Sequence, residues 1–150
     1  MFDLEDLYQE IIMDHNRRPR NFTKISDANR NADGFNPLCG DQISLYLNVT
    51  DNVIVEIGFQ ASGCAISKAS ASMMTEEVKG KTEKEAGILF TTFRQMITKE
   101  STDHFDSELL GDLEILRGIS EYPARIKCAT LSWHTLNAAI IGKSESISTE

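Results

Sequence analysis

Apolar positions along the first third of the chain change period twice. Leu4, Leu7, Tyr8, Ile11 and Ile12 fall at helical spacing behind early acidic residues, which predicts a helix from residue 3 to about 16. Pro19, in the run RRPRN, stops it within a turn. Residues 22–41 are rich in Asn, Asp and Gly and read as extended chain and loop. Ile43, Leu45, Leu47 and Val49 then alternate with mostly polar neighbours, and a β-rich run from Val53 to Phe59 follows Asp51 and Asn52. That pattern predicts an antiparallel hairpin. Gly58 and Gly63 mark bends or close backbone approach near the end of its second strand.

From Cys64 the period becomes helical again, through CAISKASASMMTEEVKG to a stop at Gly80. Its many small residues suit close packing against a neighbour. Thr82 and Glu85 form a capping box that opens a helix running to about Lys99. The polar stretch STDHFDSE breaks the pattern. A short helix is expected over Leu109–Leu116, and a last one from Ala124, behind Pro123, to about Ile141. The polar tail, about 142–150, reads as frayed. The expected class is α+β: a small antiparallel sheet behind an N-terminal helix, packed against several helices.

Composition narrows the setting. The 150 residues, 41% hydrophobic and 25% charged, fit one domain spanning 1–150 that folds around its own core. No apolar run approaches the ~20 residues of a membrane span, so no membrane partner is expected. The N-terminus MFDLEDLYQE is acidic where a targeting segment would be basic, which points to a cytoplasmic location. Fifteen basic against 23 acidic residues leave a net charge of -8, which repels a phosphate backbone; nucleic acid is an unexpected partner.

The chemistry-bearing residues are the three cysteines, Cys39, Cys64 and Cys128. An odd count without a secretory signal argues against a disulfide framework. Each lies at the edge of an expected element: Cys39 in a loop before a strand, Cys64 at a helix start, Cys128 in the first turns of the last helix. Asp41 follows Cys39 across Gly40, whose freedom at φ lets both side chains face one point. Three thiolates and a carboxylate complete a tetrahedral zinc site with a ligand charge of about -4 against +2. Arg125, one helical turn before Cys128, is placed to offset part of the excess. The residues alone leave other readings open. A cysteine is often a small buried hydrophobe, Asp41 suits a turn, and Arg125 suits a surface. A Cys–His nucleophile would need His15, His104 or His134, none of which the sequence brings near a cysteine.

Taken together, NPLCGD, SGCAISKASASMM and YPARIKCATLSW, with LYQEIIMDHNRRPRN near the N-terminus, resemble the IscU and SufU proteins of iron–sulfur cluster assembly, a NifU N-terminal-like family. The resemblance runs over nearly the whole chain. Lys127 stands where IscU proteins carry a histidine, YPARIK replaces their LPPVK chaperone word, and the segment of about 80–120 is longer. These departures are those of the SufU branch. The resemblance implies a zinc site formed by Cys39, Asp41, Cys64 and Cys128. It implies Cys39 as acceptor of persulfide sulfur from a cysteine desulfurase of the SufS type, which carries its own pyridoxal phosphate. It places Arg125 beside the site or against that partner. Downstream iron–sulfur assembly proteins would take the sulfur. A zinc-dependent sulfurtransferase is thus expected; the alternatives are a scaffold that holds iron or a [2Fe–2S] cluster on the same ligands, and a structural zinc module.

Overall fold

The computed structural model describes residues 4–98, 107–142 and 147–148. Helix α1 spans Leu4–Arg17 and ends where Pro19 requires. Asp14 near its end receives Arg18 at 2.8 Å and Arg20 at 2.7 Å, which ties the turn that follows. Strand β1 covers Arg30–Asn36, β2 Asp41–Thr50 and β3 Val53–Ser62. Both residues of the β2–β3 turn, Asp51 and Asn52, have positive φ (51° and 68°), the geometry that suits strand twist in a two-residue hairpin. The expected hairpin is therefore present. It runs longer at both ends than the hydrophobic alternation showed.

Strand β1 departs from the expectation of loop. Its inward positions are Ala32, Gly34 and Asn36, which carry no apolar alternation. Helix α5 (Pro123–Ile141) decides their burial. A Cβ at Gly34 would overlap Thr135 Oγ1 and come within 3.1 Å of Leu131 Cδ1, so only glycine lets the helix lie this close. The tail departs as well. Ile147–Ser148 form β4, paired in parallel with Gly34 and Phe35, and the sheet order is β3-β2-β1-β4.

Helix α2 (Ala65–Val78) begins directly after Cys64 and stops before Gly80 at φ 87°. Its small residues Ala69, Ser70, Ala71 and Ser72 are all fully buried; Ser70 Oγ donates to the Ala129 carbonyl of α5 at 2.6 Å. Helix α3 (Glu83–Thr98) opens with the expected capping box, Thr82 N–H to Glu85 Oε1 at 2.9 Å and Glu85 N–H to Thr82 Oγ1 at 3.0 Å. Most of the expected polar break lies outside the described residues. The short helix expected over 109–116 is instead one α-helical turn, α4 (Ser107–Leu110), continued by a 3₁₀ helix over Gly111–Glu121. Its buried residues are Leu113, Ile115, Leu116 and Ile119; Leu113, Leu116 and Ile119 continue from the buried Leu110 of α4 at a spacing of three, which matches three residues per turn. The α+β class is as expected, with all helices sharing one core with the sheet. Trp133 of α5 is fully buried there and stacks on Phe93 at 4.7 Å. No described helix is long and apolar enough to cross a membrane.

Candidate metal centre

The pairing of β1 with β2 ends at Asn36 opposite Asp41, and Pro37, Leu38, Cys39 and Gly40 form the turn between them. Gly40 has φ 70°, a conformation that glycine adopts without strain. The turn projects Cys39 outward, while Asp41, the first residue of β2, points in and is fully buried. Cys64 caps α2 from its N-terminal end; its Sγ accepts the Ser67 N–H at 3.4 Å. Cys128 lies two turns into α5 at the close of the helix's first third, and is buried.

These elements converge. The sulfurs of Cys39 and Cys128 are 3.4 Å apart. A carboxylate oxygen of Asp41 and these two sulfurs all lie within 4.8 Å of one another. Cys64 joins through Asp41: its Sγ is 3.7 Å from Asp41 Oδ2 and its N–H donates to Oδ1 at 2.8 Å. Gly63 makes this approach possible. With φ 130°, its Cα faces Asp41 so closely that a Cβ would stand 2.7 Å from the Asp41 Cα and overlap the carboxylate. The close backbone approach expected at Gly63 is present.

Burial pushes the Cys128 thiol well above the ordinary thiol range, and its hydrogen-bonded neighbours Cys39 and Cys64 push in the same direction. Burial raises the Cys64 thiol too, against the opposing Ser67 N–H. Without a cation, two of the three thiols are therefore held protonated. The Cys39 and Cys128 sulfurs and the Asp41 carboxylate form the cluster, with the Cys64 sulfur 3.7 Å from that carboxylate as the fourth donor; the set matches the ligand preference of a tetrahedral divalent ion such as zinc. The residues present fit that group.

Arg125 is exposed and lies with its guanidinium 4.8 Å from the centre of the Tyr122 ring. Among the described residues it makes no hydrogen bond to the thiols. Neither described histidine enters the cluster: His15 Nδ1 is 2.7 Å from Ser72 Oγ, and His134 packs edge-on against Phe90 at 5.2 Å. His104 lies outside the described residues. One member of the site was not singled out from the sequence. Asn36 is fully buried, and its Nδ2 donates to Asp41 Oδ2 at 3.3 Å and to Cys128 Sγ at 3.7 Å. The available signal was its place at the head of NPLCGD, where an Asn side chain turns the backbone.

The profile of the NifU-like N terminal domain matches residues 7–129, which include every residue of this cluster. The chain belongs to that family. A Bacillus subtilis protein named zinc-dependent sulfurtransferase SufU is 43% identical over 138 residues, covering 92% of each chain. A Streptococcus pyogenes protein named iron-sulfur cluster assembly scaffold protein IscU is 39% identical over 137 residues, 91% of this chain and 84% of its own. Among solved structures, one from Fervidobacterium islandicum superposes with a TM-score of 0.83 at 35% identity, covering 87% of this chain and 94% of its own. It is described as a candidate iron–sulfur cluster assembly scaffold for the SUF system. The matched residues run from within α1 through the three antiparallel strands, α2, α3, α4 and the 3₁₀ helix to the first turns of α5, ending at the residue after Cys128.

Proposed function

We propose that this NifU-like domain is a zinc-dependent sulfurtransferase of iron–sulfur cluster biogenesis. Cys39 accepts sulfur from the persulfide of a cytoplasmic cysteine desulfurase of the SufS type and passes it to downstream assembly proteins. The observation that carries the reading is an asymmetry within one cluster. Cys128 and Asp41 are buried, whereas Cys39 stands exposed on a turn with its sulfur 3.4 Å from that of Cys128. A sulfur acceptor must reach a partner's active site, and Cys39 has that access.

Cys39, Asp41, Cys64 and Cys128 would hold the zinc, whose charge favours the thiolate form of its ligands. The Cys39 thiolate attacks the outer sulfur of the desulfurase persulfide. A new S–S bond forms at Cys39, the old one breaks, and its electron pair leaves on the desulfurase thiolate. The exchange is redox-neutral and needs no added reductant. A Cβ at Gly40 would meet nothing within 4 Å, and Cys39 beside it is exposed, so the turn presents the thiol to solvent. Leu38, next to Cys39 in the turn and 64% exposed, gives the partner an apolar contact. Tyr122, 53% exposed, with the Arg125 guanidinium over its ring, offers an apolar and cationic one at the start of the helix that carries Cys128.

The test is metal content and desulfurase turnover on one purified sample. One zinc per chain, with turnover stimulated and stimulation lost in Cys39→Ser, supports the reading; zinc without stimulation leaves a structural module. The second reading is a scaffold. It is favoured by the 39% identity to a relative named a scaffold and by a donor set that also suits iron. Iron and acid-labile sulfide in place of zinc would select it.

A further inference from the structure

We propose that Asn36 is a positioning residue of the metal centre, aligning the Asp41 carboxylate and the Cys128 sulfur toward the ion. The inference rests on the zinc reading above and extends it to a residue outside the four donors. Three observations carry it. Asn36 is fully buried although it is polar, and burying an amide is favourable only when its hydrogen bonds are made. Its amide is fully used: Nδ2 points one way to Asp41 Oδ2 at 3.3 Å and the other to Cys128 Sγ at 3.7 Å. Its Oδ1 accepts the Leu38 N–H at 3.2 Å and so shapes the turn that carries Cys39.

This orientation of the amide is the one chemistry allows. Exchanging Oδ1 and Nδ2 would set a carbonyl oxygen against the Asp41 carboxylate and an amino group against the Leu38 N–H. Asn36 thus touches three parts of the site at once, from the rung of the hairpin that faces Asp41. Four anionic donors around a divalent ion leave an excess of negative charge. No cationic side chain among the described residues hydrogen-bonds to the donors, so dipoles must offset it. The Cys64 N–H on Asp41 Oδ1 supplies one dipole, and the Ser67 N–H on Cys64 Sγ another. Asn36 supplies a third, to Asp41 Oδ2 and Cys128 together. Hydrogen-bond partners behind a metal's ligands fix their orientation and charge, and losing one typically costs about 10- to 100-fold in metal affinity.

The experiment is cobalt(II) titration of the metal-free chain, with affinity read by chelator competition and geometry by the sulfur-to-cobalt charge-transfer and d–d bands. Asn36→Ala is expected to bind one cobalt with affinity lowered about 10- to 100-fold and with shifted d–d bands. Asn36→Leu fills the same space without the donor, guards against collapse of the cavity, and should show the same loss. In the Asp41→Ala background the loss on adding Asn36→Ala should shrink, because part of it acts through that carboxylate. Wild-type affinity and bands in both single variants, or an undiminished loss without Asp41, would overturn the proposal. Wild-type chain that takes up no cobalt would remove the zinc reading and this proposal together. Normal wild-type uptake with indifferent Asn36 variants would remove this proposal alone.

Discussion

Cys39 and Cys128, 89 positions apart in the chain, place their sulfurs 3.4 Å from each other, one exposed and one buried. The hairpin turn and the start of α5 meet at this contact, with the Asp41 carboxylate alongside. What the pair does depends on which thiol carries a proton and which can leave the site.

Zinc uptake should be strongly pH-dependent. Burial raises both Cys64 and Cys128, so each carries its proton near neutrality and gives it up when the metal binds. Apparent affinity then falls with acidification by about tenfold per pH unit for each proton released. Chelator competition at several pH values, with proton release followed in weak buffer, measures this. The metal-free chain shows the opposite linkage. A raised thiol contributes stability that is fully present below the unfolded value of about 8.5 and is lost as pH rises beyond it. Denaturation of metal-free protein at neutral and alkaline pH should show that loss, and zinc should abolish it.

Gly63→Ala should empty the site. The new methyl group would stand 2.7 Å from the Asp41 Cα at a φ of 130° that alanine resists, so Asp41 or the start of α2 must move. We expect a stability loss of about 1–3 kcal/mol in the metal-free protein and zinc content well below one per chain. Full loading at unchanged stability would contradict the packing described here.

Arg125→Ala separates the two roles that the sequence assigned to this residue. Its guanidinium sits over Tyr122 and is exposed. Zinc content should therefore stay normal, while the concentration needed to stimulate a desulfurase half-maximally rises on the order of tenfold, as for an interfacial arginine. Reduced zinc at unchanged partner response would return the residue to the metal.

His15 should confer acid sensitivity on the α1–α2 contact. The ring is buried, with Nδ1 2.7 Å from Ser72 Oγ. Burial lowers its pKa, assisted by Arg20 and opposed by Glu76, Asp14 and Asp112. A lowered value means stability that is present above the unfolded value of about 6.5 and lost as pH falls below it. Thermal melts of wild type and His15→Asn from neutral pH to about pH 5 should show a steeper decline in the wild type.

Local rules were legible wherever a segment carries its own signal. The Asp51–Asn52 turn, the Thr82–Glu85 box, the Gly80 stop and Pro123 at the head of α5 each act within a few residues, and each appears as expected. The three cysteine words marked the candidate donors, and the place of Cys39 before a strand marked its access. The sequence by itself thus determined the α+β class, most element ends and the residue types of the site.

Tertiary structure decided what depends on a distant partner. β1 carries no strand pattern because its inward positions are Ala32, Gly34 and Asn36, and the missing side chain at Gly34 is what admits α5. The leucines from 110 to 116 and Ile119 favour a 3₁₀ helix through a spacing of three, whose shared buried face only the fold reveals. The role of Asn36 was hidden for the same reason. An asparagine before a proline reads as a turn residue until Asp41 and Cys128 are seen at its amide. Hydrogen bonds and close packing are set by distances across the chain, and sequence spacing carries those distances only within a single element.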